Sequence, residues 1–380
     1  MLNDLWVFVL AVFFVAINGI TQLSWAASLG FAMKPTAFAY MIGVAGNVLT
    51  GSVTPISGQS ATLTTVSFIK KINQRVAALI LAGVAMAILG AFGLIERISD
   101  FAGPAVVFGM MAGVGIFVSG VGIDMLKQDK RTGIISMVSA LAIFALTRDL
   151  VYTIAGSVML ATLDFAVIQK KRMDLGAIAK ENGHDADSLE TENFRFWTKK
   201  YWSEFKIIKP DFFSLTTLMW AAGFMCLHIG TNIAFGRATA GIAGTTQNLD
   251  HLTVINGLAD IPSVMFGGAP LGAIISGTAS APWPVLAGII MMLLCAVLLL
   301  LGLVTKMCKY IPTQSIAGFL FVLGFFMTFM PNVRNAFATG NIAEAAVAMS
   351  ITALTKNPFI GLVAGIAVRY IGYQWFGLVV

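Results

Sequence analysis

Charge is scarce in this sequence. Only 11% of its 380 residues are Asp, Glu, Lys or Arg, against about 25% in ordinary globular domains. With 58% hydrophobic residues and a mean hydropathy of +0.86, its apolar faces can be covered only by lipid, which excludes a soluble chain. Cysteine is scarce too: Cys226, Cys295 and Cys308 lie in or beside apolar runs, without CxxC or ligand spacing. They read as small core residues and leave the redox compartment undetermined. Histidine occurs three times, with no HExxH and no His or Cys pair spaced to hold a metal. There is no Walker lysine motif and no GxGxxG after a strand. ATP-driven pumping, metal chemistry, cofactors and enzymatic activity are therefore not expected. A basic region before the first apolar run is also missing, so no cleaved signal peptide is expected. The net charge of +6 would raise nucleic acid in a soluble protein, but a membrane chain uses Lys and Arg to set its orientation.

What is present is a series of apolar runs. A helix crossing a bilayer needs about 20 mostly apolar residues. Read in that unit, the chain gives segments at 5–29, 36–50, 52–69, 77–95, 103–123, 132–147 and 150–168. A second set lies at 213–236, 252–266, 268–285, 286–305, 312–330, 341–355 and 357–378. The expected fold is an all-α polytopic membrane protein of about 14 spans. Between the sets, residues 169–211 hold 17 of the 42 charged residues and read as a charged hydrophilic connector. Residues 1–168 and 212–380 are then two seven-span repeats, with core and gate domains interleaved across both. The stretch Phe194–Trp202, FRFWTKKYW, mixes aromatics and cations, as an interfacial element or a solvated loop would.

The halves look alike. TPISGQSA (Thr54–Ala61) interrupts an apolar run and a later helix opens with GPAVVFGMMAGVG (Gly103–Gly115). In the same order, GGAPLGAIISGTASAP (Gly267–Pro282) interrupts another run and a later helix opens with IPTQSIAGFL (Ile311–Leu320). Broken backbone at membrane depth survives only inside protein or beside a wet cavity. A matched pair of breaks is the pattern of an inverted-repeat transporter.

HIG (His228–Gly230), NGL (Asn256–Leu258), FGGAP (Phe266–Pro270) and TPISGQSA, in this order, resemble the nucleobase-cation symporters of the xanthine/uracil permease type. The resemblance implies a seven-plus-seven inverted repeat in which spans three and ten are each a short strand followed by a half helix. The two half-helix N-termini would hold a polar ligand between them. The chain departs from that family at two positions. Where those proteins carry glutamates, it has Leu227 and, counting without gaps from FGGAP, Ser276. GLADI (Gly257–Ile261), FGGAP and SGTA (Ser276–Ala279) also resemble the SulP sulfate and bicarbonate transporters and the benzoate permeases, which carry anions. SulP proteins often have a basic residue after that serine, where this chain has Gly277, and a soluble C-terminal domain that this sequence is expected to lack.

The candidate binding residues follow from the breaks and from polar groups at membrane depth. Gln59 and Ser60 sit at the third-span break, and Ser276, Gly277 and Thr278 at the tenth. His228 is the one histidine within an apolar span and a candidate for proton coupling; Asn232, at i+4, shares its face. Asn18, Thr21 and Gln22 form a polar stripe on the first span, read as cavity or interhelical contact. Asp260 reads as a solvated charge on an amphipathic ninth segment, and Asp164 and Glu344 as span-end charges that snorkel or pair.

The leading functional reading is a secondary transporter of a small polar solute, a nucleobase such as xanthine or uracil, by alternating access with proton or sodium coupling. The alternatives are a small-anion transporter of SulP or benzoate type, and a channel or non-transporting scaffold. A neutral heterocycle with N–H donors needs acceptors such as carboxylates, whereas two positive half-helix ends without a carboxylate suit an anion. The expected partners are the substrate, a coupled cation and lipid, with a homodimer as an expected assembly, in a prokaryotic inner membrane. Of the 24 Lys and Arg, 19 fall in odd-numbered loops. The basic-loop rule then puts the connector in the cytoplasm and both termini outside, the reverse of what the family resemblance implies.

Overall fold

The computed structural model describes residues 2–59, 62, 63, 66, 69–166, 205–304 and 311–376. Ser60 and the Phe194–Trp202 stretch lie outside them.

The first half comprises α1 (Leu2–Ser28), α2 (Met33–Thr50), β1 (Ile56–Ser57), α3 (Ile72–Ala91), α4 (Leu94–Gln128), α5 (Lys130–Thr147) and α6 (Leu150–Asp164). The second comprises α7 (Leu215–Ala243), α8 (Leu249–Met265), β2 (Gly272–Ala273), a 3-10 turn (Gly277–Ser280) and α9 (Pro284–Leu300). It continues with α10 (Thr313–Ala338), α11 (Ile342–Thr355) and α12 (Pro358–Phe376). Side chains at the helix ends set several boundaries. Asp129 accepts from the backbone N–H of Arg131 and Thr132 at the start of α5, Asp149 does so for Val151 and Tyr152 at α6, and Asn248 for His251 at α8.

Among the described residues, α3, α4, α5, α7 and α10 are long and apolar enough to cross a membrane. Shorter apolar helices lie at Asp4–Ile20, Leu150–Asp164, Pro284–Leu300, Ile342–Thr355 and Pro358–Ile371. Five long and five shorter apolar helices thus stand among the described residues where about 14 spans, some of them short or broken, are expected.

Packing follows a regular scheme. Helix α2 packs on α9 as α8 packs on α3, α1 on α6 as α7 on α12, and α5 on α10 as α11 on α4. In each of these pairs the second contact joins helices six numbers away from those of the first.

The α3–α8 crossing is close because both helices present a glycine. A Cβ on Gly257 would sit 2.4 Å from the carbonyl oxygen of Gly83, and one on Gly83 would sit 2.7 Å from that of Gly257. The NGL motif therefore supplies a packing surface. Gly103 breaks α4 with φ 80 and ψ 163 just before Pro104, a conformation natural to glycine alone. The Arg369 guanidinium takes up carbonyls freed there, bonding the oxygens of Phe101 and Ala102.

The predicted breaks meet in space. β1 and β2 pair antiparallel, Ile56 with Ala273 and Ser57 with Gly272. Two segments more than 200 residues apart thereby form one two-stranded ribbon inside the helices. Asp164 pairs with Arg131 through two bonds of 2.9 and 3.0 Å, as its position at a span end suggests. Glu344 is buried instead, and its Oε2 has no hydrogen-bond partner among the described residues.

Candidate functional site

A cavity of about 80 Å³ opens beside the β1–β2 ribbon. One wall is polar: Asn18, Gly19 and Gln22 from α1, then Ser57, Gly58 and Gln59 from β1 and the turn after it. The facing wall is apolar, with Phe117, Val118 and Val121 from α4 and Leu320 and Leu323 from α10. Phe235, Ile274 and Ile275 close it. Next to this wall, α10 widens into a π-helical stretch at Leu323–Phe329, a feature that recurs at functional sites. No ionisable side chain lies on the cavity wall among the described residues.

The chain turns from β1 into helix at the cavity. The N–H of Leu63 donates to the carbonyl of Gln59 at 3.0 Å, so Gln59 opens the helical turn and places its N-terminal, partially positive end at the polar wall. The hydroxyls of Tyr40 and Ser57 bond each other at 2.7 Å, fixing β1 against α2. Thr239 donates to the carbonyl of Ile274 at 3.1 Å and fixes the other strand against α7.

Behind Gln59 a polar chain runs away from the cavity. Gln59 Nε2 donates to the carbonyl of Ala273 at 2.7 Å, and its Oε1 accepts from Thr62 at 2.8 Å. Thr62 Oγ1 also lies 3.0 Å from His228 Nε2. His228 Nδ1 has no hydrogen-bond partner among the described residues, and faces Asp260 Oδ2 at 3.8 Å. Asp260 Oδ1 accepts from the N–H of Leu271 at 2.8 Å.

Asp260, expected to be solvated, is thus a correction: it is 1% exposed, as is His228. An amphipathic pattern says that α8 has two faces but not that both are covered, here by α3 on one side and by α2 and the β2 loop on others.

The structure brings together some of the sequence candidates and separates others. Gln22 and Gln59 line the cavity. His228 is one residue behind it, through Thr62. Asn232 accepts from Asn256 Nδ2 at 3.0 Å and donates to Thr253 at 3.2 Å, so it ties α7 to α8. Ser276 and Thr278 are buried in the 3-10 turn, where their hydroxyls bond each other at 2.7 Å and Ser276 Oγ caps the N–H of Thr278. Gly277 packs near Val15 and Phe319. Leu227 is buried in α7. Sequence reasoning missed Ser57 and the apolar wall. Ser57 carries a signal, its place within TPISGQSA, while Phe117 or Leu320 look no different from lipid-facing residues.

No protein-family model matches the chain, and no curated protein matches it. Solved structures do. The chain is similar to the transmembrane domain of the cyanobacterial bicarbonate transporter BicA, with TM-score 0.59 and 14% identity over 96% of this chain and 98% of that one. It is also similar to SLC26A9, with TM-score 0.54 and 12% identity. That match covers 96% of this chain and 64% of SLC26A9. The chain shares the fold of these membrane proteins and is itself an integral membrane protein.

Proposed function

We propose that this protein is a secondary transporter of a small anion, of the SulP or bicarbonate type, rather than of a nucleobase. The carrying observation is the composition of the cavity wall. Its polar side offers the neutral groups of Asn18, Gln22, Ser57 and Gln59 with a helix N-terminal end beside them, and no carboxylate. A nucleobase would find no anionic acceptor for its N–H groups there, whereas an anion meets amide donors and a partial positive charge. The cavity is also small. About 80 Å³ is several times the roughly 10–15 Å³ that one water requires, which suits an ion of a few heavy atoms.

The reading extends to how transport proceeds. On this reading the chain is a seven-plus-seven inverted repeat, in which α1–α3 and α7–α9, with the ribbon, form a core domain. Helices α4–α6 and α10–α12 form a gate, and the cavity lies where they meet. Alternating access is then movement of the core past the apolar wall of α4 and α10. The likeness to a bicarbonate transporter supports this reading over the nucleobase one.

The test is calorimetric titration of the purified protein with bicarbonate, sulfate and chloride, and with uracil and xanthine. Binding of one of the anions and of neither nucleobase supports the proposal; binding of a nucleobase alone sinks it.

A further inference from the structure

We propose that His228 and Asp260 together form a buried site for one proton, joined to the cavity through Thr62 and Gln59. The directions of the hydrogen bonds carry the argument. The carbonyl of Ala273 can only accept, so Gln59 must face it with Nε2 and turn Oε1 towards Thr62. Oε1 can only accept, so the Thr62 hydroxyl gives it its single hydrogen. Thr62 is then the acceptor from His228, which must carry hydrogen on Nε2.

That assignment decides what lies on the other side of the ring. In the neutral imidazole with Nε2–H, Nδ1 bears a lone pair, and this lone pair faces Asp260 Oδ2 at 3.8 Å. Two lone pairs facing each other in a dry interior repel. Asp260 Oδ1 is already occupied by the N–H of Leu271, so a proton on this pair belongs between Oδ2 and Nδ1. Placed on Oδ2 it gives a neutral acid and a neutral imidazole; moved to Nδ1 it gives a carboxylate and an imidazolium. The net charge is zero either way, and loss of the proton leaves −1. Both residues are 1% exposed, and an uncompensated charge there is costly. Only the singly protonated pair suits its surroundings.

Five other charged groups on neighbouring elements have partners elsewhere. On α3, Arg75 bonds the carbonyls of Leu29 and Ile69. On α4, Glu96 accepts from the N–H of Leu249, while Asp250 of α8 accepts from that of Ile95. On α12, Arg369 holds the carbonyls at the α4 break. On α7 itself, Arg237 bonds Ser99. His228 and Asp260 bond none of these groups and lie 3.8 Å from each other. Gln59 belongs both to the cavity wall and to this chain of bonds, so a ligand that draws Gln59 away removes the acceptor of Thr62 and disturbs the protonated pair. This link to transport rests on the functional reading above; the proton site itself does not.

The experiment is nitrogen NMR of the full protein in lipid nanodiscs, labelled at its three histidines, with His184→Gln and His251→Gln used to assign His228. The expected spectrum keeps hydrogen on Nε2 of His228 across about pH 5 to 9, where free histidine would change state. The Nδ1 resonance should be that of a nitrogen sharing a proton, and Asp260→Asn should shift it. An Nε2 without hydrogen in the wild type overturns the proposal, whatever the variant does. So does an Nδ1 resonance that is the same in Asp260→Asn as in the wild type. Should that variant fail to fold, Asp260→Glu takes its place, with a displaced Nδ1 resonance expected and an unchanged one contradicting the site. Because none of these readings involves an anion or a nucleobase, failure here is separate from failure of the proposed substrate.

Discussion

Gln59 and Ala273, 214 residues apart in sequence, are joined by a 2.7 Å hydrogen bond from the side-chain amide to the backbone carbonyl. One side chain thus ties the break in the first half to the break in the second, at the wall of the cavity. Its other end accepts from Thr62. Gln59 has no freedom to be replaced by a shape-mimic, because carbonyl on one side and hydroxyl on the other demand an amide.

Gln59→Leu should therefore lower both stability and binding. Removing the amide takes the donor from the Ala273 carbonyl and the acceptor from the Thr62 hydroxyl hydrogen, at about 1–3 kcal/mol for such a buried group. A fall in melting temperature, together with an anion affinity weakened by about tenfold or more, corresponding to about 1.4 kcal/mol, is the expected outcome. Unchanged anion affinity in a folded Gln59→Leu protein would remove Gln59 from the site.

Ser276 should behave as a structural residue. It caps the turn at Thr278 and is 1% exposed, so Ser276→Ala is expected to cost about 1 kcal/mol as a lost cap and to leave ligand affinity alone. Ser276→Glu would force a carboxylate into that turn and should prevent stable folding rather than switch specificity. Melting curves and ligand titration of both variants check this, and a well-folded Ser276→Glu that binds a nucleobase would reverse it.

The glycine crossing of α3 and α8 makes a third expectation. Gly257→Val places a branched side chain where even a single added Cβ would clash with the Gly83 carbonyl oxygen. Overpacking of this kind costs about 1–3 kcal/mol, so the melting temperature should drop, while Gly120→Ala, which has open space, should leave it nearly unchanged. Equal stability of the two variants would show that the crossing is looser than it looks.

Much of this was legible in the sequence, for a physical reason. Proline, glycine and hydroxyl residues at membrane depth free backbone groups that must find partners inside protein, so TPISGQSA and GGAPLGAIISGTASAP announce the breaks that pair as β1 and β2. Gln22 and Gln59 were legible as polar groups where lipid permits none. Asp260 was not, because periodicity cannot say which neighbour covers a helix face, and its burial depends on α3, α2 and the β2 loop converging on α8. Tyr40 and Ser57 bond across two elements, and nothing local in either segment points to the other. The bond of Ser276 to Thr278 was not legible either, since counting residues from FGGAP carries no information on which way a side chain turns.

Orientation is open to direct measurement. The excess of Lys and Arg in odd-numbered loops predicts a cytoplasmic connector. In a background without native cysteines, Lys209→Cys, an exposed position, should resist an impermeant thiol reagent on intact cells and react once the membrane is opened. Labelling on intact cells would reverse the orientation and place the termini in the cytoplasm.

The central claim is that the cavity beside the β1–β2 ribbon binds a small anion and carries it across the membrane. Uptake into proteoliposomes of radiolabelled bicarbonate, sulfate and uracil, each with wild type and Gln59→Leu, tests it most directly. Saturable uptake of one of the anions by wild type, lost or strongly reduced in the variant, with none of uracil, is the predicted result. Saturable uracil uptake without anion uptake would contradict the account.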